Sequence, residues 1–591
     1  MTVAGALTQG VPPALFVWLA AALAGLLGRR TGTITGVCSL FAVAGWAALV
    51  PDGSGPTWNY LGFHVVPVAV DPAARVVGVA FAGFGAVAVG YLFATGADRA
   101  HVAVALAYAG GALWATFAGD WLGLLIGWEL MAVASTLLVW LAGGDAVRAG
   151  YRYAIVHALG GALLAAGLAL HVADGGAAAL RYDGSGVAAG LPALVVGVGI
   201  LVNAAAIGVH VWLPDTYARP HVGTSVVLSA YTTKLAAYAA HRAFPDGNIA
   251  LAYLGGVMAV FGAAYAIAQK DARRLLAYHI QAQVGYVLAG IGVGSTLGVA
   301  GGFAHLFNNV LFKGLLFMVV GVVAIRTGTD RLDRFGALGT SAPVLLSSFL
   351  VAAAAITGVP GTNGFVSKGM VTDAAAAAGH APLEWLLLVG AVGTFLSFLK
   401  LGHYAFRVGD PRPIPDVTRT QAATMVPVAV ACVALGIAHS LLLAPLPGGD
   451  GISIDPYAPD KLLKTGGTLL VALAGFVLGK PHLERLNGGV DVDALRDPAV
   501  FYGIRSLVAA IAGLFGVVER ATQAMTERIM ALVRDPVGVA AQRAPEARLE
   551  ALAARAPDAP GTLGIFPSVG LRLIALAAST ALALTIGVAW R

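Results

Sequence analysis

Trp121-Leu-Gly-Leu-Leu-Ile-Gly-Trp-Glu129-Leu-Met-Ala-Val-Ala-Ser-Thr-Leu-Leu-Val-Trp140 is a run of twenty residues with a single charge, Glu129. A helix of roughly twenty apolar residues crosses the ~30 Å hydrocarbon core of a bilayer. Working outward from this run, similar stretches recur at about 12–28, 32–50, 75–97, 100–118, 121–142, 151–172, 191–213, 223–243, 249–268, 274–292, 296–324, 344–378, 385–407, 421–444, 464–480 and 569–589. The expected fold is therefore an all-α polytopic membrane protein of about 16 transmembrane helices.

Composition supports this reading. Of 591 residues, 58% are apolar and 11% charged, against roughly 25% charged in soluble proteins. So few charges cannot cover a soluble globule, and disorder requires the opposite balance. The 78 glycines suit helices that pack closely in lipid. The net charge of +6 includes no basic run of useful length, so no nucleic-acid partner is expected. Cys38 and Cys432 lie in apolar stretches, and no disulfide, redox motif or cysteine metal site is expected. The run Pro12 to Gly28 lacks the charged start of a signal peptide and ends in Arg29-Arg30, so it reads as a retained anchor.

Basic residues set the orientation. Loops after odd-numbered spans hold Arg29, Arg30, Arg99, Arg148, Arg152, Lys270, Arg273, Arg274, Arg326, Arg331, Arg334, Arg412 and Arg419. Even-numbered loops hold little beyond Arg75, Arg181, Arg242, Lys461 and Lys464. Odd loops are thus expected in the cytoplasm, and both termini outside, in a multi-pass plasma-membrane protein. From Asp497 to Asp535, Ile504, Leu507, Val508, Ile511, Leu514, Phe515, Val518, Met525, Ile529 and Leu532 recur at helical spacing among Arg505, Glu519, Arg520, Glu527, Arg528 and Arg534. This reads as a long amphipathic helix lying along the membrane surface or along other helices. A polar linker, 544–560, leads to the last span. The expected organisation is 1–118 N-terminal helices, 119–410 ion-translocating core, 411–480 additional helices, 481–568 lateral helix and linker, and 569–591 C-terminal anchor.

The cations divide unevenly. Twenty-eight are arginines, mostly in loops, and eight are lysines, of which Lys234, Lys313, Lys368 and Lys400 fall inside apolar spans. Arginine keeps its proton, whereas a desolvated lysine readily changes protonation state. Glu129 is the one glutamate deep in an expected span, and an intramembrane carboxylate is by default a functional candidate. Lys400, near a span end, fits a proton site and a structural partner for helix-end carbonyls equally well. Thr357-Gly-Val-Pro-Gly-Thr-Asn-Gly-Phe-Val-Ser-Lys368 places Gly358, Pro360, Gly361 and Gly364 inside a span. They are expected to break the helix beside Lys368, as in transporter ion sites. Lys234-Leu-Ala-Ala-Tyr238-Ala resembles Lys400-Leu-Gly-His-Tyr404-Ala at an offset of 166, a faint sign of two inverted five-helix repeats. His157, His210, His279 and His305 lie in or at spans, and their titration range suits proton relay. His305 stands eight residues before Lys313.

These segments resemble the antiporter-like subunits of respiratory complex I and of Mrp-type cation/proton antiporters, from about Gly123 to Arg407. The resemblance rests on Trp128-Glu129-Leu130-Met131, His210-Val-Trp-Leu-Pro-Asp215, Leu228-Ser229 with Thr233-Lys234, Asp271-Ala-Arg-Arg-Leu-Leu-Ala-Tyr278 with Gln283-Val-Gly-Tyr286, Leu311-Phe-Lys313-Gly-Leu-Leu-Phe317, and Gly364-Phe-Val-Ser-Lys368. The last two look closest to the Mrp D subunit and its relatives in membrane-bound hydrogenases, and the C-terminal end looks more like the distal complex I subunit. The resemblance implies a chain of protonatable groups across the membrane. Glu129, Lys234, Lys313 and Lys368 match its carboxylate and its lysines, and Lys400, His157, His279 and His305 are further relay candidates. The chain departs from the pattern where Asn203 replaces the lysine seven residues before His210, and Ala204 to Gly208 lacks the usual proline. Asn309 replaces a histidine, Arg273 a lysine, and His279-Ile280 a Ser-Ser pair. Glu129 thereby loses its expected partner, and His157 or Lys234 is expected to compensate.

The function this implies is a proton-translocating subunit, with Na+ a second candidate ion, of a multisubunit Mrp-type antiporter complex, in contact with lipid and other integral membrane subunits. The alternatives are the same module in a redox-driven complex I-like or hydrogenase complex, which would make it part of an NADH:quinone oxidoreductase-like enzyme, and a degenerate scaffold or uptake partner. No cofactor, metal or catalytic residue is expected in this chain, so any redox centre would lie in partners.

Overall fold

The computed structural model describes residues 10–60, 62–485, 493–535 and 539. The first helices are α1 (Ala14–Leu27), α2 (Arg29–Leu49), α3 (Pro72–Ala94), α4 (Arg99–Phe117), α5 (Trp121–Trp140) and α6 (Asp145–Gly175). Then come α7 (Leu191–Asn203), α8 (Trp212–Tyr217), α9 (Val222–Leu228), α10 (Thr232–Ala243), α11 (Ile249–Ala268), α12 (Ala272–Val293) and α13 (Thr296–Thr327). The rest are α14 (Pro343–Thr357), α15 (Asn363–Ala377), α16 (Ala381–Phe406), α17 (Arg419–Ile437), α18 (Ser440–Leu443), α19 (Pro459–Arg485) and α20 (Asp493–Arg534). Every expected span from 12–28 to 464–480 holds a helix or a pair of half-helices. The linker 544–560 and the span 569–589 lie outside the described residues. Among the described residues, eleven helices are long and apolar enough to cross a membrane.

The chain forms two units, 1–493 and 494–591. In the first, side chains are sorted for lipid. Leu26, Leu49, Leu194 and Leu478 are exposed, as are Leu130, Val133 and Leu137 on one face of α5. Lys234, Lys313, Gln281, Gln283 and His305 are buried. α12 and α13 form the centre, with nearly every residue from Leu275 to Gly292 enclosed. Asp71, Asp98, Asp120 and Asp271 cap helix N-termini, accepting from backbone N–H groups three residues on. The sequence reading had no strands between α2 and α3. There the chain forms two short antiparallel pairs, Gly53–Ser54 with Ala69–Val70 and Trp58–Tyr60 with Phe63–Val65.

Three interruptions matter for function. Between α14 and α15, Gly358 (φ +87°) and Gly361 (φ +90°) carry the break expected there, while Gly364 is already helical. The break between α7 and α8 forms without proline. Ala205 adopts φ +56°, and Ala206 N–H bonds back to Leu201 O at 3.0 Å, a helix-ending motif usually built on glycine. The third interruption corrects a single span at 223–243. The chain leaves the helix at Ser229 to Tyr231, so Lys234 follows a break instead of lying inside an unbroken helix.

In the second unit α20 is one continuous helix. Val508, Ile511, Leu514, Phe515, Val518, Met525, Ile529 and Leu532 on it are exposed. Its segment Val508–Arg534 is also apolar enough, by length and composition, to span a bilayer.

Candidate functional site

The buried lysines meet backbone carbonyls. Lys234 Nζ donates to Ser229 O at 2.7 Å, at the C-terminus of α9. Lys368 Nζ donates to Ile356 O at 2.7 Å, in the last turn of α14, and lies 4.7 Å from the centre of the Tyr286 ring. Lys400 Nζ donates to Ile267 O at 2.5 Å and Gln269 O at 3.0 Å, at the end of α11. Helix C-termini leave carbonyls unpaired and present the negative end of the helix dipole, which favours a cation. Lys313 differs: it lies well inside the continuous α13 and donates to Leu276 O at 3.2 Å.

His305 bridges α12 and α15 through neutral polar side chains. Its Nδ1 is 3.0 Å from Ser367 Oγ, next to Lys368, and its Nε2 is 3.1 Å from Gln283 Oε1. The sequence placed His305 with Lys313, but its hydrogen bonds run toward Lys368. Both Lys368 and Lys234 lie within Coulombic range of His305. Lys313 is within range of Lys234 and Lys368, and His279 within range of Lys313 and Lys368. Lys234, Lys313, His279, His305 and Lys368 thus form one buried group. Among the described residues, Lys400 is not joined to this group; its charged neighbour is the loop residue Lys270.

Glu129 and His157 lie elsewhere. Glu129 is half-buried, its carboxylate pressed against Gly161 of α6. Among the described residues no salt bridge to Glu129 is found, whereas Arg152 and Arg219 pair with Asp215. His157 stands four residues before Gly161, on the same face of α6. It is fully buried, with Asn203 as its polar neighbour and Tyr153 and Trp212 packed on its ring at 4.0 and 4.6 Å. Of the two residues expected to compensate for Asn203, His157 lies beside Asn203 itself and one turn of α6 from the Gly161 that Glu129 meets. His210 packs against Phe261 and Tyr278.

Sequence reasoning assigned no role to several neutral polar residues. Ser367 and Gln283 bind His305 yet were only motif letters. Thr232 Oγ1 lies 2.6 Å from Tyr108 OH and 3.3 Å from Tyr153 OH, and Tyr153 OH donates to Ser135 Oγ at 2.9 Å. This hydroxyl cluster joins α4, α5 and α6 to the start of the Lys234 helix. Further buried polar atoms have no hydrogen-bond partner among the described residues, including both ring nitrogens of His279 and the amide of Asn309. Buried polar groups of this kind are ordinarily satisfied by water.

Comparison with known proteins bears on this arrangement. Residues 118–397 match the family described as NADH:quinone oxidoreductase/Mrp antiporter, transmembrane. The NADH-quinone oxidoreductase subunit N of Desulforudis audaxviator is 31% identical over 422 residues, covering 67% of this chain and 81% of that protein. The chain belongs to this family. It is an antiporter-like, multi-pass membrane subunit, as its motifs implied. The Na(+)/H(+) antiporter D subunit of Alkalihalophilus pseudofirmus is 27% identical over 305 residues, 49% of this chain and 62% of that one. The chain spans about half to two thirds of the length of such further curated relatives. A chain in the structure of the Mrp complex from Dietzia sp. DQ12-45-1b superposes with TM-score 0.65 at 21% identity, over 82% of this chain and 100% of that one, and so shares the fold of this antiporter-like subunit.

Proposed function

We propose that this antiporter-like subunit moves protons across the plasma membrane within a multisubunit Mrp-type complex, through Lys234, Lys313, His279, His305 and Lys368. The observation that carries this reading is His305, hydrogen-bonded to Ser367, the residue before Lys368, and within Coulombic range of both Lys368 and Lys234. A lysine at a helix break holds its proton against carbonyls that are fixed in place. A proton on one lysine repels a proton on the next, because charges at this depth are poorly screened. Arrival at one end therefore drives departure at the other, and the group titrates as a unit. Histidine passes a proton between its two nitrogens. Glu129 and His157 feed the group from the first half, and Lys400 serves as the cap of α11.

The 119–410 segment is the translocating core in this reading. The arginine-rich loops face the cytoplasm, both termini face out, and α20 lies along the membrane surface, because Glu519, Arg520, Glu527, Arg528 and Arg534 would be costly in lipid. Na+ is the second candidate ion, and partner subunits and lipid surround the helices. The resemblance to subunit N favours a second reading, in which redox partners drive the same relay. Proton transport in native membrane vesicles, imposed by an ion gradient or by substrate oxidation, separates the two. In either case Lys368→Ala is expected to cut transport by about a hundredfold or more, the low end of what a positioned proton-transfer group contributes. Wild-type rates in an assembled Lys368→Ala protein would refute the relay.

A further inference from the structure

At the joint of α15, α16 and α19 lies a cavity of ≈ 70 Å³ lined by Lys368, Tyr286, Thr372, Asp373, Lys461 and Lys464, among others. One water needs roughly 10–15 Å³ of such space, so the cavity has room for a few. Asp373 follows Lys368 by five residues on α15, and Lys461 from the first turn of α19 donates to its carboxylate at 2.9 Å. One turn on, Lys464 pairs with Glu384 at the start of α16. Lys368 is buried, whereas the Asp373 and Lys461 side chains are 29% and 26% exposed. The cavity thus runs between a relay lysine and a partly exposed ion pair at the start of α19. A bland account makes these two pairs simple ties for α19, whose other side chains are largely exposed. Partly exposed pairs are weak ties, however, and that account leaves the cavity shared with Lys368 unexplained.

We propose that Asp373 is the carboxylate through which Lys368 exchanges protons with the surface, and that Lys461 is its tethered counter-ion and gate. The proposal rests on the relay reading above. An N–H bond of the Lys368 ammonium breaks and, across cavity water, an O–H bond forms on Asp373. Lys368 is then a neutral amine and Asp373 a neutral acid. A neutral acid no longer holds Lys461 by charge, so Nζ turns toward bulk water and the cavity opens. Lys464 stays paired with Glu384 and takes no part in the transfer. Asp373 releases its proton to water, and the pair with Lys461 closes again. One proton has moved from Lys368 to bulk, and no other bond has changed.

The test uses the full chain in native membrane vesicles, with Lys234→Ala in parallel. Asp373→Asn is expected to slow proton transport by about a hundredfold or more, and Asp373→Glu to restore most of it, as for a positioned proton-transfer group. In a Cys38→Ser, Thr372→Cys background, Lys461→Gln is expected to speed labelling by a membrane-impermeant thiol reagent several-fold. Wild-type transport by Asp373→Asn, beside an inactive Lys234→Ala, overturns this assignment and leaves the relay standing. Active Lys234→Ala overturns the relay and this assignment with it. If Asp373→Asn fails to assemble, labelling decides: a rate unchanged by Lys461→Gln overturns the gate.

Discussion

A lysine in a bilayer needs a partner, and here backbone carbonyls serve. Lys234, Lys368 and Lys400 each bond a helix-end carbonyl, an arrangement that accepts the charged form without a fixed carboxylate. Such lysines were legible because a cation stands out in an apolar span. Glu129 was only half legible: the span was clear, but one sequence does not say which face of α5 meets lipid, and Glu129 borders the exposed face of Leu130 and Val133. Ser367, Gln283 and Thr232 were illegible because neutral polar residues are common in membrane helices. Glu129 of α5 meets α6 at Gly161, one turn along the same face from His157. Glu129→Gln and His157→Gln are each expected to lower vesicle proton transport by about a hundredfold or more, with assembly intact. Wild-type rates in Glu129→Gln would show that the first half carries no protons.

At the scale of elements, the three breaks decide where the lysines find their carbonyls. The Gly358 to Gly361 break could be read directly, since glycine and proline mark it. The break after Asn203 could not, because Ala205 has no such signature. Its φ of +56° costs an L-residue roughly 1–2 kcal/mol. Ala205→Gly is therefore expected to raise stability by up to about 1 kcal/mol, glycine's own chain entropy offsetting the rest. Thermal unfolding in detergent measures this, and a lower midpoint would mean the alanine is not strained. The Ser229 to Tyr231 break was hidden as well. It depends on contacts from elsewhere in the fold, among them Tyr108 OH, which accepts from the Thr232 N–H at 3.1 Å.

At the scale of the molecule, the first unit turns leucines and valines outward and encloses its lysines and histidines in a largely apolar core, which suits a lipid solvent. Apolar stretches and their spacing made nearly all the helices legible. Their packing was not, so the sequence could list Lys234, His305, Lys313 and Lys368 without showing that α10, α12, α13 and α15 bring them together. The central claim is that this group passes protons through Lys234. Its most direct test is proton transport in native membrane vesicles by the full chain carrying Lys234→Ala and, separately, Lys234→Arg, with assembly checked in parallel. The account predicts that both abolish transport while assembly persists, because alanine cannot hold the proton and arginine does not release it. Transport at wild-type rates in an assembled Lys234→Ala protein would contradict it.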